Sequence, residues 1–286
     1  MKPSSAEARI HEKSKTPHSW REGDLVQLDP DHPGFRDAAY RERRNAIARI
    51  ALEYRGGPVP CVVYNPQENE TWRAVWASLA PLHEKYACAE YRDAAGVVRL
   101  DRENVPQLQE VNPSLERATG FTMQPVAGLV GDRTFLGYLS HDTFLATQYM
   151  RHPSRPLYTP EPDIVHELVG HAATFCEPGF ARVNRAFGEA AERVDEQTLS
   201  RIARLYWYTL EFGVCKEGGA LKAYGAGLLS SFGELGGFEA RAELKPFDPA
   251  VIAETPYDPT DYQRVLFVAH SFAEMTERVC EWLVRL

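Results

Sequence analysis

The feature that most constrains this 286-residue sequence is the segment YTPEPDIVHELVGH at residues 158–171. It places two histidines, three carboxylates and two prolines within fourteen residues. Neutral imidazole suits iron, zinc, copper and nickel as a ligand, and two imidazoles with one carboxylate leave positions of an octahedron open for oxygen and substrate. We therefore predict an iron site that includes His166 and His171.

The spacing of these histidines restricts the local backbone. His166 and His171 are five residues apart, so the pattern H-E-x-x-x-H does not match the zinc-protease motif H-E-x-x-H. On a regular helix a five-residue step leaves two side chains about 140° apart. Both histidines can bind one metal ion only if the helix starts, bends or bulges there. Gly170 and the prolines at 160 and 162 permit such geometry, and Pro162 is predicted at a first helical position.

The simpler alternative is a pair of histidines at a helix start, satisfied by local hydrogen bonds. A second stretch favours the metal site, because Ile202, Leu205, Thr209 and Leu210 predict one buried helix face. Glu211 lies in the middle of this aromatic and apolar segment. Carboxylates are seldom buried unless they are paired or bind a metal. We therefore predict Glu211 as the third ligand.

Several segments carry a family resemblance. The segments YTPEPDIVHELVGH at 158–171, YWYTLEFGVCKEGG at 206–219 and KAYGAGLLSSFGEL at 222–235 resemble the catalytic domain of the pterin-dependent aromatic amino acid hydroxylases. Residues 31–44, 105–121 and 125–137 also resemble family segments in the same order, so the resemblance runs from about residue 26 to the C-terminus. It implies an enzyme that hydroxylates phenylalanine, tyrosine or tryptophan with non-haem Fe(II), a tetrahydropterin and O2.

The resemblance also implies the fold. We expect a single compact catalytic domain over residues 26–286, mainly α with a small β component. Residues 1–25 contain few large apolar groups and are predicted to form a disordered tail. Helices are predicted at 36–54, near 71–86 with a kink at Pro81, and from Ser271 onward. Animal members carry a regulatory domain and a tetramerisation helix, for which this chain has no length, so we expect a monomer.

Composition excludes other classes of protein. A net charge of −8 argues against a nucleic-acid binder, which usually carries a basic patch. The sequence has no run of 18 apolar residues and no apolar signal core, so we expect a soluble, cytoplasmic protein without a membrane partner. Five scattered cysteines without a C-x-x-C pair predict reduced thiols. The predicted partner is a small aromatic amino acid.

The resemblance assigns a pterin site. A pterin is a flat polar ring, so its site needs an aromatic face and nearby backbone groups. By resemblance, Phe135 stacks on the pterin, Gly128, Leu129 and Val130 line its edge, and Glu167 contacts it near the iron. The alternative is that Phe135 packs in the core and the glycines form a turn.

The resemblance likewise assigns a substrate site. A guanidinium fork is well suited to bind the carboxylate of an amino acid. The resemblance gives Arg151 this role, with Asp163 orienting it and with Thr159 and Ser230 at the same end of the substrate. Trp207 is the expected wall against which the substrate ring stacks. The alternatives are a purely structural Arg151–Asp163 ion pair and a core tryptophan.

The remaining expectations concern the reacting end of the substrate. The resemblance places Glu167, Trp207 and Ser230 around the reacting atoms, and residues 222–235 are predicted to form a loop that closes over the substrate. Ala173 stands where the family usually has a proline, so residues 172–176 are expected to border the substrate ring and to bear on which ring enters.

The function implied is ring hydroxylation of an aromatic L-amino acid, with phenylalanine converted to tyrosine as the first expectation. Tryptophan or tyrosine as the substrate, and attack at the meta carbon of phenylalanine, remain as alternatives. A catalytically idle binding protein of the same fold is another. The distant alternative is a zinc hydrolase with Glu167 as general base, against which the five-residue histidine spacing counts.

Overall fold

The computed structural model describes residues 25–286, so the tail predicted at residues 1–25 lies, apart from Leu25, outside the described residues. Within residues 25–286 the chain forms twelve α-helices, two π-helical segments and six short strands. The elements are α1 (Ala38–Glu53), α2 (Pro66–Tyr86), α3 (Ala89–Val98), α4 (Leu108–Thr119), β1 (Thr122–Pro125), α5 (Asp132–Leu139), β2 (Thr143–Ala146), π1 (His166–Ala172), α6 (Pro178–Arg193), α7 (Glu196–Tyr206), π2 (Trp207–Glu211), β3 (Val214–Glu217), β4 (Ala220–Ala223), α8 (Ala226–Ser230), α9 (Phe232–Leu235), α10 (Phe238–Arg241), β5 (Glu243–Pro246), α11 (Pro249–Glu254), β6 (Val265–Ala269) and α12 (Phe272–Val284). The predicted fold class, mainly α with a small β component, is confirmed.

Polar caps at the helix starts explain where the predicted helices lie. Asp37 caps α1 and Ser271 caps α12, each with its side chain accepting a hydrogen bond from a backbone N–H of the first turn. The helix predicted near 71–86 begins earlier, at Pro66. Asn65 and Glu68 form a reciprocal capping box there, and Pro66 occupies the first turn, where its missing N–H costs no hydrogen bond.

The β component consists of two small sheets. Strands β1 and β2 pair in parallel, and a four-stranded sheet has the order β4-β3-β6-β5. Among the strands of residues 25–286, only the β3–β4 pair is antiparallel, and its turn contains Gly218 and Gly219 at φ +58° and +84°, conformations that glycine adopts without strain. Because β3 starts three residues after Glu211, the sheet holds the end of π2 in place.

A large hydrophobic core runs through the domain, and a small second cluster is formed by Ile47, Val62 and Tyr149. Large aromatic and aliphatic side chains from the helices and strands form a continuous buried cluster, and α6 packs against both α5 and α12. In the described part of the chain, the helices lack an apolar stretch long enough to span a lipid bilayer. Both π-helical segments contribute side chains to this core, among them Leu168 and Leu210.

The prediction of a loop at residues 222–235 is wrong. This segment contains the end of β4 and the helices α8 and α9. Its glycines permit close packing, because a Cβ on Gly225 would lie 2.4 Å from the backbone oxygen of Glu211. On the other side, a Cβ on Gly170 of π1 would lie 2.8 Å from the backbone oxygen of Ala226. Helix α8 therefore packs directly against both π1 and π2.

We expect Gly225→Ala to destabilise the protein by about 1–3 kcal/mol, because an added methyl group in a packed interior forces neighbouring atoms to shift. Gly225 has an ordinary φ of −74°, so the effect is steric rather than conformational. The matched control is Gly137→Ala in α5, where an added Cβ meets no atom of the described residues within 4 Å. That change should stabilise by about 0.4–1 kcal/mol. Urea unfolding of the two variants tests the expectation, and equal changes in their free energies of unfolding would contradict it.

Candidate metal centre

The structure brings together His166, His171 and Glu211, with one ligand atom of each residue within 4.8 Å of the other two. The two Nε2 atoms are 3.1 Å apart. The carboxylate oxygens of Glu211 lie 3.0 Å from Nε2 of His171 and 3.5 Å from Nε2 of His166. Two imidazoles and one carboxylate are the donor set of the non-haem Fe(II) facial triad. By the chemistry of their donors, the three side chains fit an iron ion.

The π-helical backbone explains how two histidines five residues apart converge. Residues 164–165 and 173–174 are α-helical, and the whole of His166–Ala172 between them is π-helical. A π-helix bonds residue i to residue i+5, so a five-residue step comes close to one full turn. The predicted bulge is therefore present. The first helical residue is Ile164 rather than Pro162, so the predicted position of the proline is wrong by two residues.

Glu211 also lies at the end of a π-helical segment. The backbone N–H of Phe212 donates to the carbonyl oxygen of Trp207 at 2.9 Å, an i→i+5 bond that closes π2. The helix face predicted from the sequence is confirmed, since Ile202, Leu205 and the two residues before Glu211 are all buried. All three candidate ligands thus come from local departures from the α-helix, which are frequent at functional sites.

Ser230 fixes which nitrogen of His166 carries the proton. The Ser230 Oγ lies 3.0 Å from Nδ1 of His166 and donates its own hydrogen to the carbonyl oxygen of Ala226 at 2.7 Å. A hydroxyl has a single hydrogen to donate, so it accepts from the Nδ1–H of His166. The lone pair of this imidazole is then on Nε2, the atom that faces the other two candidate ligands.

We expect Ser230→Ala to weaken metal binding by about 10–100-fold, the usual cost of removing a group that orients a metal-ligating side chain. Anaerobic titration with Fe(II), or with Co(II) followed by its absorption bands, measures the change. Ser231→Ala is the matched control, because the neighbouring Ser231 makes no side-chain cap to α9. Equal affinities in both variants would show that Ser230 does not set the tautomer.

The electrostatics of the three groups suit a cation. Burial lowers the pKa of His166 to about 4, against the opposing effect of Glu211, so this imidazole is neutral near pH 7. Burial alone would raise the pKa of Glu211, but the adjacent His171 and His166 hold it below its usual value. A neutral imidazole and an ionised carboxylate are the protonation states in which these groups bind metals.

Glu167 is buried beside the histidines, and its carboxylate is held by hydrogen bonds from one residue, Thr147, which directly follows β2. The backbone N–H of Thr147 and its hydroxyl both donate to Oε1 of Glu167, at 2.9 and 2.8 Å. Burial raises the pKa of Glu167 to about 7, although His171 and the bonds from Thr147 oppose this. The structure therefore positions Glu167 next to the candidate ligands without adding it to their set.

The structure places the predicted pterin residues on α5 and on the connection that precedes it. Gly128, Leu129 and Val130 form the connection between β1 and α5, and Leu129 is exposed. Phe135 on α5 is partly buried, and its ring centroid lies 5.5 Å from that of Phe144. The Phe144 ring in turn lies 4.4 Å from the His171 ring. Phe135 is therefore separated from the candidate ligands by a single aromatic ring.

The predicted carboxylate-binding residue, Arg151, forms a buried two-point ion pair. Its Nε and NH2 groups donate to Oδ2 and Oδ1 of Asp163 at 2.9 and 2.8 Å. Oδ1 of Asp163 also accepts a longer bond from the backbone N–H of His166, at 3.3 Å. Thr159 lies in the preceding segment, where its hydroxyl donates to the carbonyl oxygen of Glu161 at 2.8 Å. The predicted Arg151–Asp163 pairing is present and is tied directly to the start of π1.

Trp207 lies at the start of π2 and is positioned by residues from the segment before β6. Its indole Nε1 donates to Oε1 of Gln263 at 2.9 Å, and its ring stacks on Tyr257 at a centroid distance of 4.2 Å. Gln263 is buried, and its backbone N–H donates to Oε1 of Glu234 at 2.7 Å. The tryptophan remains partly exposed.

Sequence reasoning missed three residues that orient the site: Thr147, Tyr257 and Gln263. Each acts on a side chain that lies 20–56 residues away, as Thr147 acts on Glu167 and Gln263 on Trp207. A threonine after a short strand and a glutamine in an irregular segment have no motif around them. Only knowledge of the fold identifies them.

The fold and the site define a mainly α-helical protein with a two-histidine, one-carboxylate centre. Residues 11–286 match the sequence model of the family described as biopterin-dependent aromatic amino acid hydroxylase. The chain belongs to this family.

The curated relatives include enzymes that are named for different substrates. Rat phenylalanine-4-hydroxylase is 43% identical over 260 residues, which cover 89% of this chain and 57% of the rat protein. Tyrosine 3-monooxygenase of Drosophila melanogaster is 42% identical over 264 residues, which cover 90% of this chain and 45% of that protein. The chain thus spans less than two thirds of the length of these relatives.

Solved structures of bacterial phenylalanine hydroxylases share the fold. The enzyme of Chromobacterium violaceum, in a structure with bound iron(III) and the oxidised cofactor 7,8-dihydrobiopterin, superposes with a TM-score of 0.75 at 29% identity and covers 83% of this chain and 90% of that one. The enzyme of Legionella pneumophila gives a TM-score of 0.73 at 31% identity, with 79% and 92% covered.

Proposed function

We propose that this chain is a non-haem Fe(II), tetrahydropterin-dependent monooxygenase that hydroxylates the ring of an aromatic L-amino acid, with phenylalanine as the first expected substrate. The observation that carries the proposal is the convergence of His166, His171 and Glu211 in a chain of this family. Iron and the pterin supply the oxidising chemistry toward O2, which amino-acid side chains lack. The chain supplies binding, orientation and a site shielded from water.

In the proposed metal site, His166 and His171 bind through Nε2 and Glu211 binds through its carboxylate. Ser230 keeps the proton of His166 on Nδ1, so that Nε2 stays available. Three protein ligands leave the remaining positions of an octahedral ion open to small molecules. Because the ligands come from two rigid helical segments packed against α8, their geometry is set before the metal binds.

The proposed pterin site is the side of the pocket formed by the β1–α5 connection. Phe135 offers an aromatic edge or face, and the backbone of Gly128, Leu129 and Val130 offers hydrogen-bonding groups to the polar ring edge. Glu167 is a buried polar side chain beside His171, and Thr147 holds its carboxylate in one orientation. In this proposal the pterin would bind beside the metal.

The proposed amino-acid site lies at the start of π1. Arg151 binds the substrate carboxylate with the part of its guanidinium that Asp163 does not use, since NH1 has only a long bond of 3.4 Å to the Pro156 carbonyl. Thr159 and Ser230 border the same end, and Trp207 forms a wall for the ring. A fixed carboxylate and a fixed ring wall together direct one ring carbon toward the metal, which is orientation by binding.

The sequence relatives leave the choice of ring open, because the phenylalanine and tyrosine enzymes match with nearly the same identity. We keep tryptophan or tyrosine as the substrate, and attack at the meta carbon, as the alternatives. We further propose action in the cytoplasm on a free amino acid, without nucleic acid or membrane, by a monomer. Size-exclusion chromatography with light scattering tests the monomer, and a stable dimer or tetramer would contradict it.

The test is anaerobic reconstitution with Fe(II), followed by turnover with O2, a tetrahydropterin and each of phenylalanine, tyrosine and tryptophan. Products are identified by chromatography and NMR. We expect a hydroxylated amino acid that is lost in His166→Ala and retained in His141→Ala, a variant of an exposed histidine outside the site. Iron-loaded protein that hydroxylates none of the three would refute the substrate class. Hydrolytic activity of the protein loaded with zinc alone would favour the hydrolase alternative.

A further inference from the structure

A cavity that none of the three candidate metal ligands lines lies between α2 and the end of the π1 helix. It has a volume of about 470 Å³ and is bordered by α2, by α3 and the residues after it, and by Ala173 at the end of the π1 helix. Of the residues with a predicted role in metal, pterin or substrate binding, Ala173, which is expected to border the substrate ring, is the one that lines it. The volume falls in the range of about 300–1,000 Å³ that is usual for small-molecule sites. Ala173 keeps this end of the cavity open, because its side chain is a single methyl group.

The buried wall of the cavity is aromatic. Trp76, His83 and Tyr91 line it, with the His83 ring 6.1 Å from the Trp76 ring and 5.2 Å from the Tyr91 ring, in edge-on arrangements. The indole N–H of Trp76 is buried and has no hydrogen-bond partner among residues 25–286. A wall of this kind offers aromatic edges and faces against which another flat ring can pack.

The exposed rim of the cavity is predominantly basic. Arg92, Arg99 and Arg102 line it together with one acidic residue, Glu84. Arg92 is paired with Glu217, whereas in the described part of the chain Arg102 has no carboxylate partner and lies over the Trp76 ring at 5.0 Å. Arginine at the edge of an aromatic pocket is suited to a carboxylate, which its planar fork binds by two hydrogen bonds.

We propose that this cavity binds a small aromatic carboxylate, with its ring among Trp76, His83 and Tyr91 and its carboxylate at Arg102 and Arg99. The site is separate from the proposed active site and does not depend on the reaction assigned there. An aromatic ring with a short acid chain matches both the aromatic wall and the basic rim.

The walls of this cavity are hydrogen-bonded to the elements that carry the metal centre. The Tyr91 hydroxyl donates to the backbone oxygen of Val169, inside π1, at 2.8 Å. His83 Nε2 lies 2.7 Å from the backbone oxygen of Leu229, the residue before Ser230, and donates to it because a carbonyl can only accept. A ligand that immobilises these two rings therefore restrains π1 and α8.

Calorimetric titration of the metal-free protein with 3-phenylpropanoate tests the proposal, with phenethylamine as the probe of opposite charge. We expect the carboxylate to bind and the amine not to bind. Arg102→Ala should weaken binding by about tenfold or more, since a hydrogen bond to a charged group is lost. Arg117→Ala, an exposed arginine on α4, is the control. Equal binding of the amine, or no effect of Arg102→Ala, would overturn the proposal.

A second variant closes the cavity without altering its charges. Gly96→Leu adds a side chain at a lining position of α3 where a Cβ meets no described atom within 4 Å, so the helix should tolerate it. We expect this variant to lose binding of 3-phenylpropanoate. In the wild-type protein the ligand should also slow hydrogen exchange of the π1 amides, and in Gly96→Leu it should not.

The probe can also enter the proposed active site, so the two sites must be separated. Arg151→Lys keeps a cation beside Asp163 but removes the guanidinium proposed to bind the substrate carboxylate, whereas Arg102→Ala and Gly96→Leu alter the lining of this cavity. Binding that is lost in Arg151→Lys and unchanged in the other two would overturn the second site and support the active site. Binding that survives Arg151→Lys and is lost in Gly96→Leu would support the second site whatever the outcome of the turnover assay.

Discussion

The Glu211→Ala protein should bind Fe(II) more than about 100-fold more weakly than the unmodified protein, because loss of a ligand exceeds the 10–100-fold cost of removing a group that only orients one. Glu211 supplies the one negative charge among the three candidate ligands. Without it, two neutral imidazoles remain 3.1 Å apart at their Nε2 atoms. Hydroxylation should fall with metal occupancy. Anaerobic Fe(II) titration and metal analysis of the isolated protein measure the change.

Two further variants separate the loss of a ligand from a general disturbance of the fold. Glu277→Ala removes an exposed carboxylate on α12 and should leave metal binding unchanged. Glu211→Gln keeps the shape of the side chain but removes its charge, so it should bind metal nearly as poorly as Glu211→Ala. Metal affinity that is unaffected in both Glu211 variants would show that the metal binds elsewhere.

Arg151→Met should destabilise the protein by about 3–5 kcal/mol, the usual result of removing one partner of a buried ion pair. Asp163 is completely buried, and without the guanidinium only the backbone N–H groups of Arg151 and His166 remain as its donors among the described residues. The double variant Arg151→Met with Asp163→Asn removes both charges. Its loss of stability should therefore be smaller than the sum of the losses in the two single variants. Urea unfolding of the metal-free proteins measures all three.

The control for this pair is Arg155→Met, a change at an exposed arginine four residues along the chain. It should shift stability by less than about 0.5 kcal/mol, as surface substitutions usually do. If the double variant loses as much free energy of unfolding as the two single variants together, the two side chains have no coupling energy. The destabilisation would then come from lost packing of the arginine stem.

The sequence contained enough information to locate the centre of the candidate site. The five-residue spacing of His166 and His171 is incompatible with a regular helix and a shared metal, which required a bulge, and the structure has a π-helical segment there. Glu211 was identifiable because a carboxylate within an aromatic helix segment is seldom buried unless it is paired or binds a metal. The role of each residue in binding remains a proposal.

The parts that sequence reasoning did not find depend on contacts between distant segments. The tautomer of His166 is set by a serine 64 residues away, and Trp207 is held by a glutamine 56 residues away. Residues 222–235 were predicted as a loop because they contain three glycines, but Gly225 serves close packing of α8 against Glu211. Local composition cannot separate a glycine needed for a turn from one needed for contact.

The π-helical segments also bear on how such a centre can arise. A π segment behaves as one extra residue accommodated within an α-helix. Deleting a single codon between His166 and His171 would restore the four-residue spacing of the zinc-type helix and would remove the residue that the π segment accommodates. A one-residue insertion therefore distinguishes the two histidine patterns.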